Sequence, residues 1–149
     1  VLIEAAGENG DFDEICHQLR RYQASLRTCF TLENFDNLIK NGRMRPIVGT
    51  LLHSLGIHII ADATAEGTIH VADKARGMNK TYRAITALMK VSKDCTDAEV
   101  VISHCENLEG AMALKRQILA DLPVKRVDLL SCRGLTSFYA MEKGLIVGY

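Results

Sequence analysis

Glu99-Val-Val-Ile-Ser103, Asn107-Leu-Glu-Gly-Ala-Met-Ala-Leu-Lys-Arg-Gln-Ile-Leu-Ala120 and Val124-Lys-Arg-Val-Asp-Leu-Leu130 make up the stretch that decides the fold. The unbroken Val-Val-Ile run is what a strand covered on both faces requires. Asn107 can cap a helix running to Ala120, on which Leu108, Ala111, Met112, Leu114 and Ile118 recur at helical spacing and are expected to face inward. Pro123 stops that helix, and Val124 to Leu130 reads as a second strand. A strand, a helix and a strand at this spacing predict a right-handed parallel crossover.

Working outward, Ile57 to Ala61 and Thr68 to Ala72 read as a hairpin around Ala65-Glu66-Gly67. A hairpin is antiparallel, so the sheet is mixed. Asn79 to Lys93 is an amphipathic helix with Tyr82, Ile85, Leu88 and Met89 on its buried side, and Leu145 to Tyr149 is a closing strand. Near the start, Asp11 and Glu14 make a variant capping box for a helix carrying Phe12, Ile15, Cys16, Leu19 and Leu26. Thr28 to Thr31 reads as a short strand. Thr31 or Asn34 can cap a helix with Phe35, Leu38 and Ile39 on one face, and Gly42 follows it as a C′ residue. Pro46 opens a second, greasier helix that Gly56 ends. The expected fold class is α/β (α+β), a mixed sheet covered by helices.

The 149 residues are one domain's worth, large enough for a real core. Net charge is zero, so no basic field favours nucleic acid. The apolar run from Ile47 to Ile60 is too short for an integral membrane span. Five cysteines, Cys16, Cys29, Cys95, Cys105 and Cys132, are widely spaced without a C-x-x-C pair, so neither a disulfide framework nor a zinc site is indicated, and a reducing cytoplasm is the expected location. The opening Val1-Leu-Ile-Glu-Ala-Ala-Gly7 reads as the tail of a helix already under way, so a preceding domain is expected.

Several groups can carry chemistry. Arg43, Arg45, Lys74 and Arg76 lie at element edges, where guanidinium forks can bind carboxylate or phosphate. Arg43 and Arg45 flank the start of an apolar run, which puts fixed charge at the mouth of a greasy slot suited to an anionic head on a hydrocarbon tail. Pattern alone favours solvated loop arginines beside ordinary core. His104 ends a buried strand, where ligand crevices form, and is equally a histidine satisfied by the backbone. His53 is a weaker candidate of the same kind. Ser131 to Ser137 reads as a polar loop able to grip an anion, or as a simple turn. Within it Cys132, beside Arg133, is a candidate nucleophile, and an enzyme of acyl or phosphoryl transfer using Cys132 or His104 with Arg43 is the second reading, although no base–nucleophile spacing is evident. No metal-ligand cluster, Walker loop or G-x-S-x-G is present. A protein-interaction or regulatory domain is the third reading.

Taken together, Phe35-Asp-Asn-Leu38-Ile-Lys40-Asn-Gly42-Arg43-Met44, Leu51-Leu52, Ile57-His-Ile-Ile60, Glu66-Gly67-Thr68-Ile69, Lys74-Ala-Arg76-Gly77, Ile102-Ser-His104 and Gly144-Leu-Ile-Val-Gly-Tyr149 resemble, in order and spacing, the C-terminal domain of the DegV family of fatty-acid-binding proteins. The resemblance implies a C-terminal lid domain spanning residues 1–149, with residues 1–10 the end of an interdomain helix and an N-terminal domain completing the protein. It implies a long-chain fatty acid between the two domains, no cofactor, no catalytic group in this domain, and a fatty acid kinase as possible partner. The matching positions are Arg43 and Arg76 for the head group, with Met44, Leu51, Leu52, Leu55 and Ile57 near the tail. Where the family carries H-x-G-P-G, this chain has Thr136-Ser-Phe-Tyr-Ala-Met-Glu-Lys-Gly144, so the family histidine's head-group contact is expected to be either absent or replaced by Thr136, Ser137 or Tyr139.

Overall fold

The structure, a computed structural model, describes residues 11–44, 56–64 and 66–149. The expected ends of the interdomain helix (residues 1–10) and the greasy helix opened by Pro46, with Arg45, Leu51, Leu52, His53 and Leu55, lie outside the described residues.

Helix α1, Phe12–Ser25, starts at Asp11, whose side chain accepts the Asp13 N–H at 3.3 Å, and none of its residues is buried. Strand β1 (Thr28–Thr31) leads to the short helix α2 (Asp36–Lys40). The hairpin strands β2 (Ile57–Ala63) and β3 (Ile69–Arg76) are longer than their apolar patterns indicated. Helix α3 (Met78–Ser92), strand β4 (Glu99–His104), helix α4 (Leu108–Asp121) and strand β5 (Arg126–Ser131) follow. Asn107 caps α4 as expected, its Oδ1 accepting the Gly110 N–H at 3.1 Å. The seven residues Gly134–Ala140 form a helix, α5, before the closing strand β6 (Leu145–Gly148).

The six strands lie in the order β3-β2-β1-β6-β4-β5. The crossover pair β4 and β5 is parallel and every other pairing is antiparallel. The last strand sits at the centre, between β1 and β4, with Leu145 and Val147 fully buried.

Strand side chains alternate between faces, and each face has its own core. On the first, Cys29, Ile60, Val100, Ile102, Val127, Leu145 and Val147 meet Tyr82, Ile85 and Met89 of α3 and Ala111, Leu114 and Ile118 of α4. Each fully buried aliphatic side chain contributes about 1.5–3 kcal/mol of transfer free energy, so this layer dominates stability. Leu108 and Met112 do not share it. They are 55% and 46% exposed, because Ala111, Leu114 and Ile118 already supply the narrow stripe that touches the sheet.

The second face carries the smaller cluster of Leu32, Phe35, Leu38, Ile59, Ala61 and Ala140, with Phe30, Ile69, Val71 and Ile146 packed against it. Among the described helices only α2 and α5, five and seven residues long, contribute to this cluster. A bulge reshapes this face. Ile60 pairs with Asp73 but Ala61 pairs with Val71, which leaves Ala72 as the extra residue. Cross-strand partners share a face, so Lys74 and Arg76, opposite Ile59 and Ile57, lie on the same side as Ile69 and Val71. Regular alternation from Ile69 would have sent both basic residues to the other side.

Candidate functional site

The second face holds a cavity of about 330 Å³, at the small end of ligand pockets. Its floor is Phe30 and Leu32 at β1, Ile69 of β3 and Ile146 of β6; its walls are Leu38 of α2 and Leu135, Tyr139 and Ala140 of α5; Arg43 and Gly67 complete it. Among these lining residues Arg43 alone is charged, and Tyr139 alone carries a hydroxyl.

Local structure explains how a guanidinium comes to an apolar hollow. Helix α2 is entered through Asn34, whose Oδ1 accepts the Asp36 N–H at 2.7 Å. It ends at Gly42, with φ at +67°, a conformation that a Cβ disfavours. The reversed chain returns the Arg43 N–H to the Leu38 carbonyl at 2.8 Å and the Met44 N–H to the same oxygen at 3.2 Å. Leu38 therefore supplies both an apolar wall and the acceptor that anchors Arg43. Met44 is half-buried and packs against the second cluster.

The two walls are tied together. Asn37 Nδ2 donates to the Phe138 carbonyl at 2.6 Å, joining α2 to α5. Beyond α5, Met141 and Lys143 both adopt positive φ, and the Lys143 N–H donates to the Cys105 carbonyl at 2.8 Å, which fastens the turn to the end of β4.

The expected site residues are distributed unevenly over this geometry. Arg43 lines the cavity. Arg76 lies on the same sheet face, seven residues beyond Ile69 along β3, which at about 3.3 Å per residue is on the order of 20 Å away. Ile57 is paired with Arg76 at that far end and is half-buried. Thr136 and Ser137 belong to α5 and are not among the lining residues. Leu135 and Tyr139 are one helical turn apart and face the cavity, whereas Ser137 stands about 200° round the axis from Leu135.

His104 and Cys132 do not converge. His104 shares its strand face with Val100 and Ile102, in the first core, and its Nδ1 accepts the Asn107 N–H at 3.4 Å. Cys132 packs with the second cluster, across the sheet. Burial, and then the neighbouring Cys105, push the Cys132 thiol above its ordinary value, the reverse of what activates a nucleophile.

Sequence reasoning did not single out Phe30, Leu32, Ile69, Leu135 or Ile146. A signal existed in Leu145-Ile146-Val147: an uninterrupted apolar strand has two buried faces, so Ile146 needed a partner layer of its own. Helix α5 had no such signal, because Gly134-Leu-Thr-Ser-Phe-Tyr-Ala140 is poor in strong helix formers.

No helix among the described residues is long and apolar enough to cross a membrane. Comparison with known proteins places this geometry in context. A DegV domain-containing protein of Streptococcus gordonii is 32% identical over 139 residues, which is 93% of this chain and 49% of that protein. A DegV family protein from Eubacterium eligens loaded with heptadecanoic acid superposes with a TM-score of 0.90 at 28% identity, over 99% of this chain and 53% of that one. The fatty acid kinase B3 protein of Streptococcus pneumoniae loaded with linoleic acid gives 0.87 at 31% identity, over 99% of this chain and 52% of that one. The chain thus spans about half the length of these relatives. The profile of the family described as uncharacterised DegV proteins matches residues 2–145, and on a match running through almost its whole length this chain belongs to the DegV family.

Proposed function

We propose that this chain is the C-terminal lid domain of a two-domain carrier that holds a long-chain fatty acid between its halves, without catalysing a reaction itself. The observation that carries the reading is the cavity on the second sheet face, whose described lining residues are apolar except for Arg43 and the Tyr139 hydroxyl. A hollow of about 330 Å³ takes on the order of ten groups of methylene size, taking a liquid water's share of about 30 Å³ as the measure. At about 0.8 kcal/mol per buried methylene the tail would provide most of the affinity. An N-terminal domain, like the other half of relatives about twice this length, would close the open side. Relatives of twice this length that hold heptadecanoic and linoleic acids support the ligand class. The fatty acid kinase in the name of the Streptococcus pneumoniae relative supports a kinase partner, and the widely spaced cysteines without a C-x-x-C pair support a reducing cytoplasm as the location.

Arg43 is the head-group partner in this proposal, with Tyr139 as the hydroxyl in place of the family's histidine. Arg76, on the order of 20 Å along the same face, would meet the other end of an extended ligand or a partner's surface. Met44 and Ile57, with Leu51, Leu52 and Leu55, are proposed tail contacts; Thr136 and Ser137 are proposed at the rim.

The test uses the full-length protein. Native mass spectrometry after gentle purification is expected to show an acyl adduct, and the protein to prefer a fatty acid over the fatty alcohol of equal length. A charge-assisted hydrogen bond contributes about 1.5–3 kcal/mol, so Arg43→Met is expected to weaken fatty-acid binding roughly 10- to 100-fold while leaving alcohol binding nearly unchanged. No adduct under any condition, or equal loss for acid and alcohol, would overturn the assignment. An enzyme using Cys132 is disfavoured by a thiol that burial holds above its ordinary value, and one using His104 by its place on the sheet face away from Arg43.

A further inference from the structure

The five cysteines are all reduced, and nothing in their spacing pairs them. The parallel ladder does. His104 of β4 lies opposite Ser131 of β5, and the Cys132 N–H donates to the His104 carbonyl at 2.8 Å, which carries the pairing one residue past the end of β5. Continuing the register by one residue on both chains would set Cys105 beside Cys132. Strand neighbours stand about 4.8 Å apart, inside the Cα separation of roughly 4.4–6.8 Å that a disulfide spans. Both side chains point to the second face. Strand parity requires it, and both are half-buried against the second cluster. Their thiols are close enough for Cys105 to disfavour ionisation of Cys132.

We propose that Cys105 and Cys132 are a modification site, a dithiol that closes to a reversible disulfide on exchange with a low-molecular-weight disulfide such as oxidised glutathione. One cysteine thiolate attacks a sulfur of the small disulfide, forming a mixed disulfide and releasing one small thiolate. The second cysteine thiolate attacks the protein sulfur of that mixed disulfide and releases the other. Two protein protons pass to the two departing thiolates, so two protein thiols are oxidised as one small disulfide is reduced. The closed bond joins the end of β4 to the residues entering α5. Tyr139 and Ala140 of α5 line the cavity, so the bond restrains one cavity wall. The pairing follows from the strand register and does not depend on which ligand the cavity takes.

The experiment is disulfide mapping of the full-length protein after incubation with oxidised glutathione at mildly alkaline pH, which favours the thiolate that burial disfavours at Cys132. The expected result is loss of two hydrogens from the intact mass, a peptide cross-link between Cys105 and Cys132, and restoration by dithiothreitol. Closing a loop of this length constrains the unfolded chain and is expected to raise Tm by about 10 °C. Cys105→Ser and Cys132→Ser should each stop at a mixed disulfide or stay reduced, while Cys16→Ser should cross-link like the parent. A stable mixed disulfide without ring closure in the parent protein, a cross-link to Cys16, Cys29 or Cys95, or no reaction after prolonged incubation would each overturn the proposal. Because the parent protein alone gives the decisive map, misfolding of a variant would not rescue it.

Discussion

Gly144 carries a prediction that tests how the cavity wall is held. An alanine Cβ at this position would run into the carbonyl oxygen of Ala140 and lie 2.9 Å from both the carbonyl carbon and the Cβ of that residue. The obstacle is backbone, so no flexible side chain can swing aside. Ala140 is the last residue of α5 and is almost fully buried, and Gly144 is itself held by its N–H to the Met141 carbonyl at 3.3 Å and its carbonyl to the Cys105 N–H at 3.1 Å. Relief requires α5 to move off the sheet, at a cost of about 2–3 kcal/mol by the usual scale of overpacking. For a chain of this size that lowers Tm by roughly 4–12 °C. Gly148, four residues on at the end of β6, is the control. A Cβ there meets nothing within 4 Å, and its φ is not of the left-handed kind, so Gly148→Ala is expected to change Tm by no more than a degree or two. Thermal unfolding of both variants, with amide exchange read on α5, decides the matter. An unchanged Tm for Gly144→Ala, or equal shifts for the two, would refute the close approach of turn and helix on which the cavity's shape depends.

Other expected outcomes concern the site and the core. Asn37→Ala removes the 2.6 Å bond to the Phe138 carbonyl and is expected to cost about 1 kcal/mol, with faster amide exchange confined to α5; unchanged exchange there would mean the walls are not coupled. Thr31 is 2% exposed and its hydroxyl has no hydrogen-bond partner among the described residues, so Thr31→Val is expected to be neutral or to stabilise by up to about 1 kcal/mol, and a clear loss in urea unfolding would show that a partner exists. Burial, and then Asp62, push the Cys29 thiol up to about 12. Above its unfolded value near 9 the unfolded chain binds fewer protons than the folded one, so stability falls by about 1.4 kcal/mol per pH unit from pH 9 towards 12. Cys29→Ala, though less stable at neutral pH, should lose this part of the slope in urea midpoints measured against pH.

Most of the elements follow from local chemistry in the chain. The Val-Val-Ile run of β4, the Asn107 cap, the apolar stripe of α3 and the positive φ at Gly42 are each set by residues within a turn or two, and each stands where the pattern put it. The mixed sheet followed from one hairpin and one crossover. Features that join distant residues were not legible. The bulge at Ala72 is a property of the pairing between β2 and β3, and it decides which face Lys74 and Arg76 occupy. Helix α5 lacks strong intrinsic propensity and is held by Asn37, about a hundred residues away in the chain, and by burial of Ala140. The outward turn of Leu108 and Met112 reflects how little of α4 the sheet can cover.

At the site the division has the same origin. Arg43 could be named from its place after a helix-ending glycine, because that conformation is local. Its position beside Ile69, Ile146 and Tyr139 arises only when three strands and two short helices meet. Cys105 and Cys132 each follow the last paired residue of two parallel strands, His104 and Ser131, so their approach depends on that register. Capping, periodicity and backbone permissiveness act over a few residues and are written in the chain; adjacency across a sheet depends on which strands pair and in what register, and that is settled by packing of the whole domain.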